Sequence, residues 1–173
     1  MLRPDSQWRW YFDQQQACLA MQLSDEMVFL SAYGAKQLGR QPMAFEDFDL
    51  EDHQNYSQAA FLLDDEVQFT AAFKTQAALN ACALLRFHKP LMPKSWFFQR
   101  GMAGSGVGVA TLTSNLHAAQ VLVLQEGESC LCMLLDESLP LDEGKSLKQF
   151  EAIKVMRDCL QGAVQTTEFR RRA

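Results

Sequence analysis

Apolar and polar positions alternate near the start of the chain. Trp8, Trp10 and Phe12 recur at every second residue, which places them on one face of an extended strand. A strand is predicted over 6–13, and two more over 17–23 and 27–30. Gln14-Gln15-Gln16 and Ser24-Asp25-Glu26 supply the turns of an antiparallel meander. A short helix is predicted over 31–38, with Ser31 as its N-cap and Gly39 at its end. Pro42 then interrupts the chain, and a further helix is predicted over 49–63. The longest helix is predicted over 65–88, where Val67, Phe73, Ala77, Leu84 and Phe87 can share a broad apolar face. Asp64, Asp65 and Glu66 suit its N-terminus, and Arg86, His88 and Lys89 its C-terminus. Pro90 disfavours helical backbone at Lys89 and ends it.

Beyond Pro93 the pattern changes to short strands. They are predicted over 95–99, 107–113, 120–125 and 129–135, separated by turns rich in Gly or Asn. An antiparallel sheet follows, partly closed into a barrel. Leu147, Phe150, Ile153, Met156 and Leu160 recur at helical spacing, and Ser146 with Gln149 fits a capping box, so an amphipathic helix is predicted over 146–160. The fold class is α+β. A boundary near Pro90–Pro93 divides an N-terminal α/β domain, 1–90, from a C-terminal β-rich, barrel-like domain, 91–173, with a mobile basic tail.

The 173 residues are enough for one sizeable core or two small ones. The formal net charge of −5 argues against bulk attraction to nucleic acid or anionic membrane. The charge is uneven. From Gln41 to Phe73 there are acids but no Lys or Arg; from Val67 to Gln125 there are bases but no acid. Either the segments pair with one another, or a basic patch faces a partner. Five cysteines without a Cys-x-x-Cys, and no secretory or membrane-spanning segment, indicate a cytoplasmic protein whose thiols pack as small hydrophobes.

Catalytic chemistry finds little support. Gly101-Met-Ala-Gly-Ser-Gly-Val-Gly108 lacks the Gly-Lys-Ser/Thr ending of a phosphate loop and precedes a strand, so it reads as a flexible hairpin loop. His53, His88 and His117 are isolated, and Cys130 and Cys132 sit among apolar residues on one strand face. No catalytic, metal or cofactor residue is assigned. The informative stretch is Lys89-Pro-Leu-Met-Pro-Lys-Ser-Trp-Phe-Phe98. Lys89 and Lys94, with Arg86 or Arg100, would border an apolar centre at Leu91 and Met92, as protein-binding surfaces commonly do. The alternative is a single-stranded nucleic-acid module over 86–100, with bases stacked on the aromatics. Strand packing would bury two of Trp96, Phe97 and Phe98.

Three stretches carry a family resemblance. Trp8-Arg9-Trp10-Tyr11-Phe12-Asp13, Lys89-Pro90-Leu91-Met92-Pro93-Lys94-Ser95-Trp96 and Glu151-Ala152-Ile153-Lys154-Val155-Met156 together resemble the bacterial cell-division family ZapC. The resemblance implies an N-terminal α/β part and a barrel-like C-terminal part, each with a pocket. It implies a non-enzymatic factor at the midcell division ring that binds the tubulin-like GTPase FtsZ, favours lateral bundling of its filaments and lowers its GTP turnover. No cofactor, small-molecule substrate or membrane is implied, and a monomer is expected. Lys89, Lys94, Leu91, Trp96 and Arg86 are the partner-binding residues expected on these grounds, and the terminal Arg170, Arg171 and Arg172 could supply a second contact.

Overall fold

The aromatic alternation near the start forms β1 (Arg9–Asp13), paired antiparallel with β2 (Cys18–Gln22), which pairs with β3 (Val28–Leu30). The structure, a computed structural model, describes residues 1–162. A short β4 (Glu46–Asp47), not expected from sequence, pairs with β1 on its other side, giving the order β3-β2-β1-β4. Trp10, Leu19 and Met21 project to one face and are fully buried. Two helices, α1 (Leu50–Leu63) and α2 (Ala71–Phe87), complete this part, and Trp10 meets Phe87 of α2 edge-on at 5.5 Å.

The predicted helix over 31–38 is a looped turn. Its backbone donors go to side chains instead of to a helix: Tyr33 N–H to Ser31 Oγ, Ala32 N–H to Asn80 Oδ1 and Gly34 N–H to Gln37 Oε1. The long helix starts at Ala71, not Asp65. Thr70 is its N-cap, accepting from the Phe73 N–H at 3.1 Å. Asp64, Asp65 and Glu66 therefore do not open it. Asp64 is the C-cap of α1, and Lys74 Nζ donates to its carbonyl, offsetting the negative helix end there. The sharper capping box belongs to α1, where Asp49 and Asp52 exchange backbone–side-chain bonds.

The chain divides into two compact units at Pro90/Leu91. The second holds a five-stranded antiparallel sheet in the order β10-β7-β6-β5-β11 and a two-stranded ribbon of β8 and β9. The strands are β5 (Gly108–Thr113), β6 (Ala118–Gln125), β7 (Ser129–Leu134), β8 (Ser138–Asp142), β9 (Lys145–Lys148), β10 (Ala152–Met156) and β11 (Leu160–Gly162). The sheet is open, with β10 and β11 as its edges, so no barrel closes. The amphipathic helix predicted over 146–160 is absent. That span forms β9, β10 and β11 because Ile153 and Val155 alternate into the core with Leu147 and Leu160, and Phe150 takes a positive φ of 66° that breaks any helix. Cys130, Cys132 and Cys159 are unbridged and buried in this core, where burial pushes the Cys132 thiol far up its titration range.

Both sheet edges are bonded to loop segments, which occupy groups that further strand pairing would need. On the β11 side, Met102 N–H bonds to Asp158 O and Gly104 N–H to Leu160 O. The glycine-rich loop is thus tied along the edge strand and not free, and Gly104 holds a φ of +84° with Arg157 packed 3.2 Å from where a Cβ would stand. On the β10 side the covering segment is 94–96, the informative stretch of the sequence.

Candidate functional site

The segment predicted as a strand over 95–99 is a 3-10 turn, Ser95–Phe97, running along β10. Lys94 N–H donates to Lys154 O at 2.8 Å, and Ser95 Oγ accepts the Met156 N–H at 2.9 Å. These are the outward-facing groups of the edge strand. Gln99 N–H then bonds to Thr113 O, fixing the far end. With the backbone held in this way, side chains take opposite fates. Ser95 and Phe98 are buried, and Phe97 packs on the core. Trp96 remains 70% exposed and Met92 78%. Two of the three aromatics are core, as expected, but a tight turn and not strand alternation sorts them. Trp96 leans on Phe97 at 5.5 Å, and Phe97 carries Lys145 Nζ over its ring at 5.6 Å.

Lys89 belongs to the first unit. Its N–H bonds to Gln37 O at 2.8 Å, next to a bridge between Leu38 and His88. The chains run close here: a Cβ at Gly39 would stand 3.2 Å from the Lys89 Cα, tighter than most such contacts. The Lys89 side chain is exposed, and so is that of Lys94. Neither closes an ion pair with another described residue. Leu91 is half-buried. Burial lowers the pKa of the neighbouring His88 imidazole, whose Nδ1 lies 2.7 Å from Lys89 O.

Arg86 is committed to the fold. Its guanidinium faces Glu46 at 3.1 Å, Asp49 at 3.6 Å and the buried Asp52, donates to Asp47 O, and lies over the Phe87 ring. Asp52 also accepts from Trp10 Nε1 at 3.0 Å. Burial raises the Asp52 pKa, and the Trp10 bond, the Asp49 N–H and Arg86 oppose the rise. Here the acidic and basic stretches of sequence pair within one unit, whereas Lys89 and Lys94 are left to face solvent.

Sequence reasoning missed the basic residues of the β8–β9 ribbon. Lys145 and Lys148 are exposed, and Lys148 lies one tight turn from Glu151. Their signal was present in the alternation of Leu139 and Leu141 and in the turn at Gly144, but Pro140 obscured it. The first unit also carries an apolar groove of about 540 Å³ lined by residues including Leu2, Met27, Val28, Ala72 and Leu79. Arg170, Arg171 and Arg172 lie outside the described residues. No helix among the described residues is long and apolar enough to cross a membrane. No group of three or more His, Cys, Asp or Glu among them could hold a metal ion.

Comparison with known proteins accounts for both units. Residues 1–89 match the family described as cell-division protein ZapC, N-terminal, and residues 90–166 match cell-division protein ZapC, C-terminal. The cell division protein ZapC of Shewanella woodyi is 38% identical over 164 residues, covering 92% of this chain and 91% of the relative. That of Photobacterium profundum is 36% identical over 166 residues, covering 90% and 89%. That of Shewanella oneidensis is 35% identical over 164 residues, covering 92% and 93%. The chain belongs to the ZapC family of cell-division proteins.

Proposed function

We propose that the protein is a non-enzymatic division factor that binds FtsZ polymers directly at the midcell ring, promotes their lateral association and slows their GTP turnover. The observation that carries this reading is the presentation of Lys94 and Trp96. A segment held along the edge of β10 presents a cation and a large exposed aromatic side chain without an ion pair to another described residue to release. Exposed aromatic side chains with neighbouring charge are typical anchors of protein interfaces, and a rigid loop loses little freedom on binding.

Lys89 and Lys94 contact an acidic partner surface, and Leu91 and Trp96 line or support the contact. Arg86 contributes by fixing α2, on which Lys89 depends, and not by touching the partner. Filaments of like charge repel one another laterally. A cationic ligand reduces that repulsion, and the effect weakens with salt because charges are screened over about 8 Å at physiological ionic strength. A monomer needs two faces to join filaments.

Co-sedimentation with purified FtsZ and GTP tests the reading, with phosphate release followed in the same tubes. Joint pelleting with more polymer and slower phosphate release is expected. The exposed Trp96 could also stack on a base. Retention of a single-stranded oligonucleotide without any pelleting with FtsZ would replace the reading with that one.

A further inference from the structure

The corner between α1 and α2 combines exposed apolar side chains with acids placed where a helix disfavours them. Three successive turns close it. Asp64 N–H bonds to Phe61 O at 3.3 Å, Glu66 N–H to Leu63 O at 3.1 Å and Phe69 N–H to Glu66 O at 3.2 Å. Phe61 is 77% exposed and Val67 93%. Phe69 stacks on Phe73 of α2 at 4.6 Å, and both rings stay half-buried. Between Phe61 and Val67 in the chain, Asp64 and Asp65 are exposed and Glu66 is half-buried. Phe61 and Asp64 lie about one helical turn apart, close enough to contact one ligand together.

The acids follow the C-terminal end of α1, where backbone carbonyls already carry partial negative charge and cations are the stabilising choice. The last turn of α1 has no basic residue, and no Lys or Arg occurs from Gln41 to Phe73. Lys74 reaches the corner, but its Nζ bonds to the Asp64 carbonyl at 3.1 Å. The carboxylates of Asp64 and Glu66 close no ion pair with another described residue. Negative charge here works against α1, and Phe61 and Val67 leave most of their apolar surface in water. One kind of contact relieves both costs: a cation beside an apolar side chain.

We propose that this corner is a docking surface for a basic, apolar segment of a partner protein, with Phe61 and Val67 as its apolar contacts and Asp64, Asp65 and Glu66 facing the segment's lysines or arginines. The occupant is assigned by charge complementarity. Its cations supply what the end of α1 lacks, and its apolar side chains take Phe61 and Val67 out of water. The acidic surface assigned to Lys89 and Lys94 has the opposite sign, so this is a separate contact and does not rest on that reading.

The test uses the full chain and a fluorescently labelled peptide of alternating lysine and leucine, followed by anisotropy at low and physiological salt. A lysine–glycine counterpart of equal charge is expected to bind about fivefold more weakly. Asp64→Lys with Asp65→Lys is expected to weaken binding of the leucine peptide by about tenfold, while the urea midpoint stays equal or rises, because the new cations suit the helix end. Asp142→Lys with Glu143→Lys changes the net charge equally in the second unit and is expected to have a much smaller effect. If the Asp64/Asp65 reversal perturbs folding by circular dichroism, Asp64→Asn with Asp65→Asn replaces it, with a smaller loss expected. Phe61→Ser with Val67→Ser is expected to weaken binding of the leucine peptide by about fivefold or more and that of the glycine peptide little. A wild-type chain that does not bind the leucine peptide, or a loss on reversal no greater than that of the Asp142/Glu143 control, overturns the proposal. Equal binding of the two peptides, or an unchanged Phe61/Val67 variant, overturns the apolar contact. Sedimentation of the chain alone is read beside this: self-association that the reversal abolishes would make a second copy the occupant and overturn the assignment to another protein. The reversal is expected to leave pelleting with FtsZ unchanged, and a parallel loss of pelleting would overturn the separateness of the two contacts. A wild-type chain that binds the leucine peptide but does not pellet would overturn the filament reading and leave this surface standing.

Discussion

Ser95 Oγ accepts the Met156 backbone N–H at 2.9 Å, and through this bond an edge strand fixes the direction of the two side chains that flank Ser95. Ser95→Ala would leave the Met156 donor without that acceptor. A loss of about 1 kcal/mol is expected, measured as a shift in the urea midpoint. Binding through Lys94 and Trp96 should fall further than this stability change alone explains, because the turn that orients them loosens.

Trp96→Ala separates contact from packing. With 70% of its surface exposed, the indole contributes little to the core, so stability should stay within about 0.5 kcal/mol of wild type. Affinity for FtsZ polymer should fall by about tenfold or more, as for the loss of an interface anchor. A large stability loss with intact pelleting would return Trp96 to a packing role.

Arg86 predicts the reverse pattern. Arg86→Gln leaves Asp52 buried and poorly compensated, and about 3–5 kcal/mol of stability should be lost in chemical unfolding. Asp52→Asn in the same chain should recover part of it, because the buried charge is then gone. Arg86→Lys should rescue only partly, since an ammonium cannot span Glu46 and Asp52 as a planar guanidinium does.

His88 adds a pH dependence next to Lys89. Burial lowers its pKa from the ordinary value of 6.5, so between the folded and unfolded values the unfolded chain binds the proton more readily. The contribution of this group to stability is therefore fully present above about pH 6.5 and is lost as pH falls through the folded value. Thermal unfolding from pH 8 downward should show this loss, and His88→Gln should flatten that part of the profile.

Much of the first unit could be read from its sequence because period-two aromatics and a proline stop are local signals. Trp8, Trp10 and Phe12 marked β1, and Pro90 marked the end of α2. The errors came where one composition suits two structures. Three acids before an alanine-rich run look like a helix start, but Thr70 supplies the better cap and Lys74 reaches back to Asp64. Leu147, Phe150, Ile153, Met156 and Leu160 match a helix by spacing. The β-branched Ile153 and Val155 and the hydrogen bonds from β7 override it. Lys89 and Lys94 stand out in the sequence because prolines lie beside them, and both are exposed in the fold. Lys145 of β9 was not legible, because its position over Phe97 depends on a long-range fold of the ribbon. Arg86 looked like its neighbours in sequence, and only the acidic cluster assembled around it reveals its structural use.

The most direct measurement is pelleting of wild type and of Lys89→Glu/Lys94→Glu with FtsZ polymers, across low and physiological salt, with phosphate release followed throughout. The account predicts that wild type pellets with the polymer, increases its recovery and slows phosphate release, more strongly at low salt. The folded double variant should do each of these weakly or not at all. Equal pelleting by the two chains would remove Lys89 and Lys94 from the contact, and a folded wild-type chain that stays in the supernatant at every salt concentration would contradict the account as a whole.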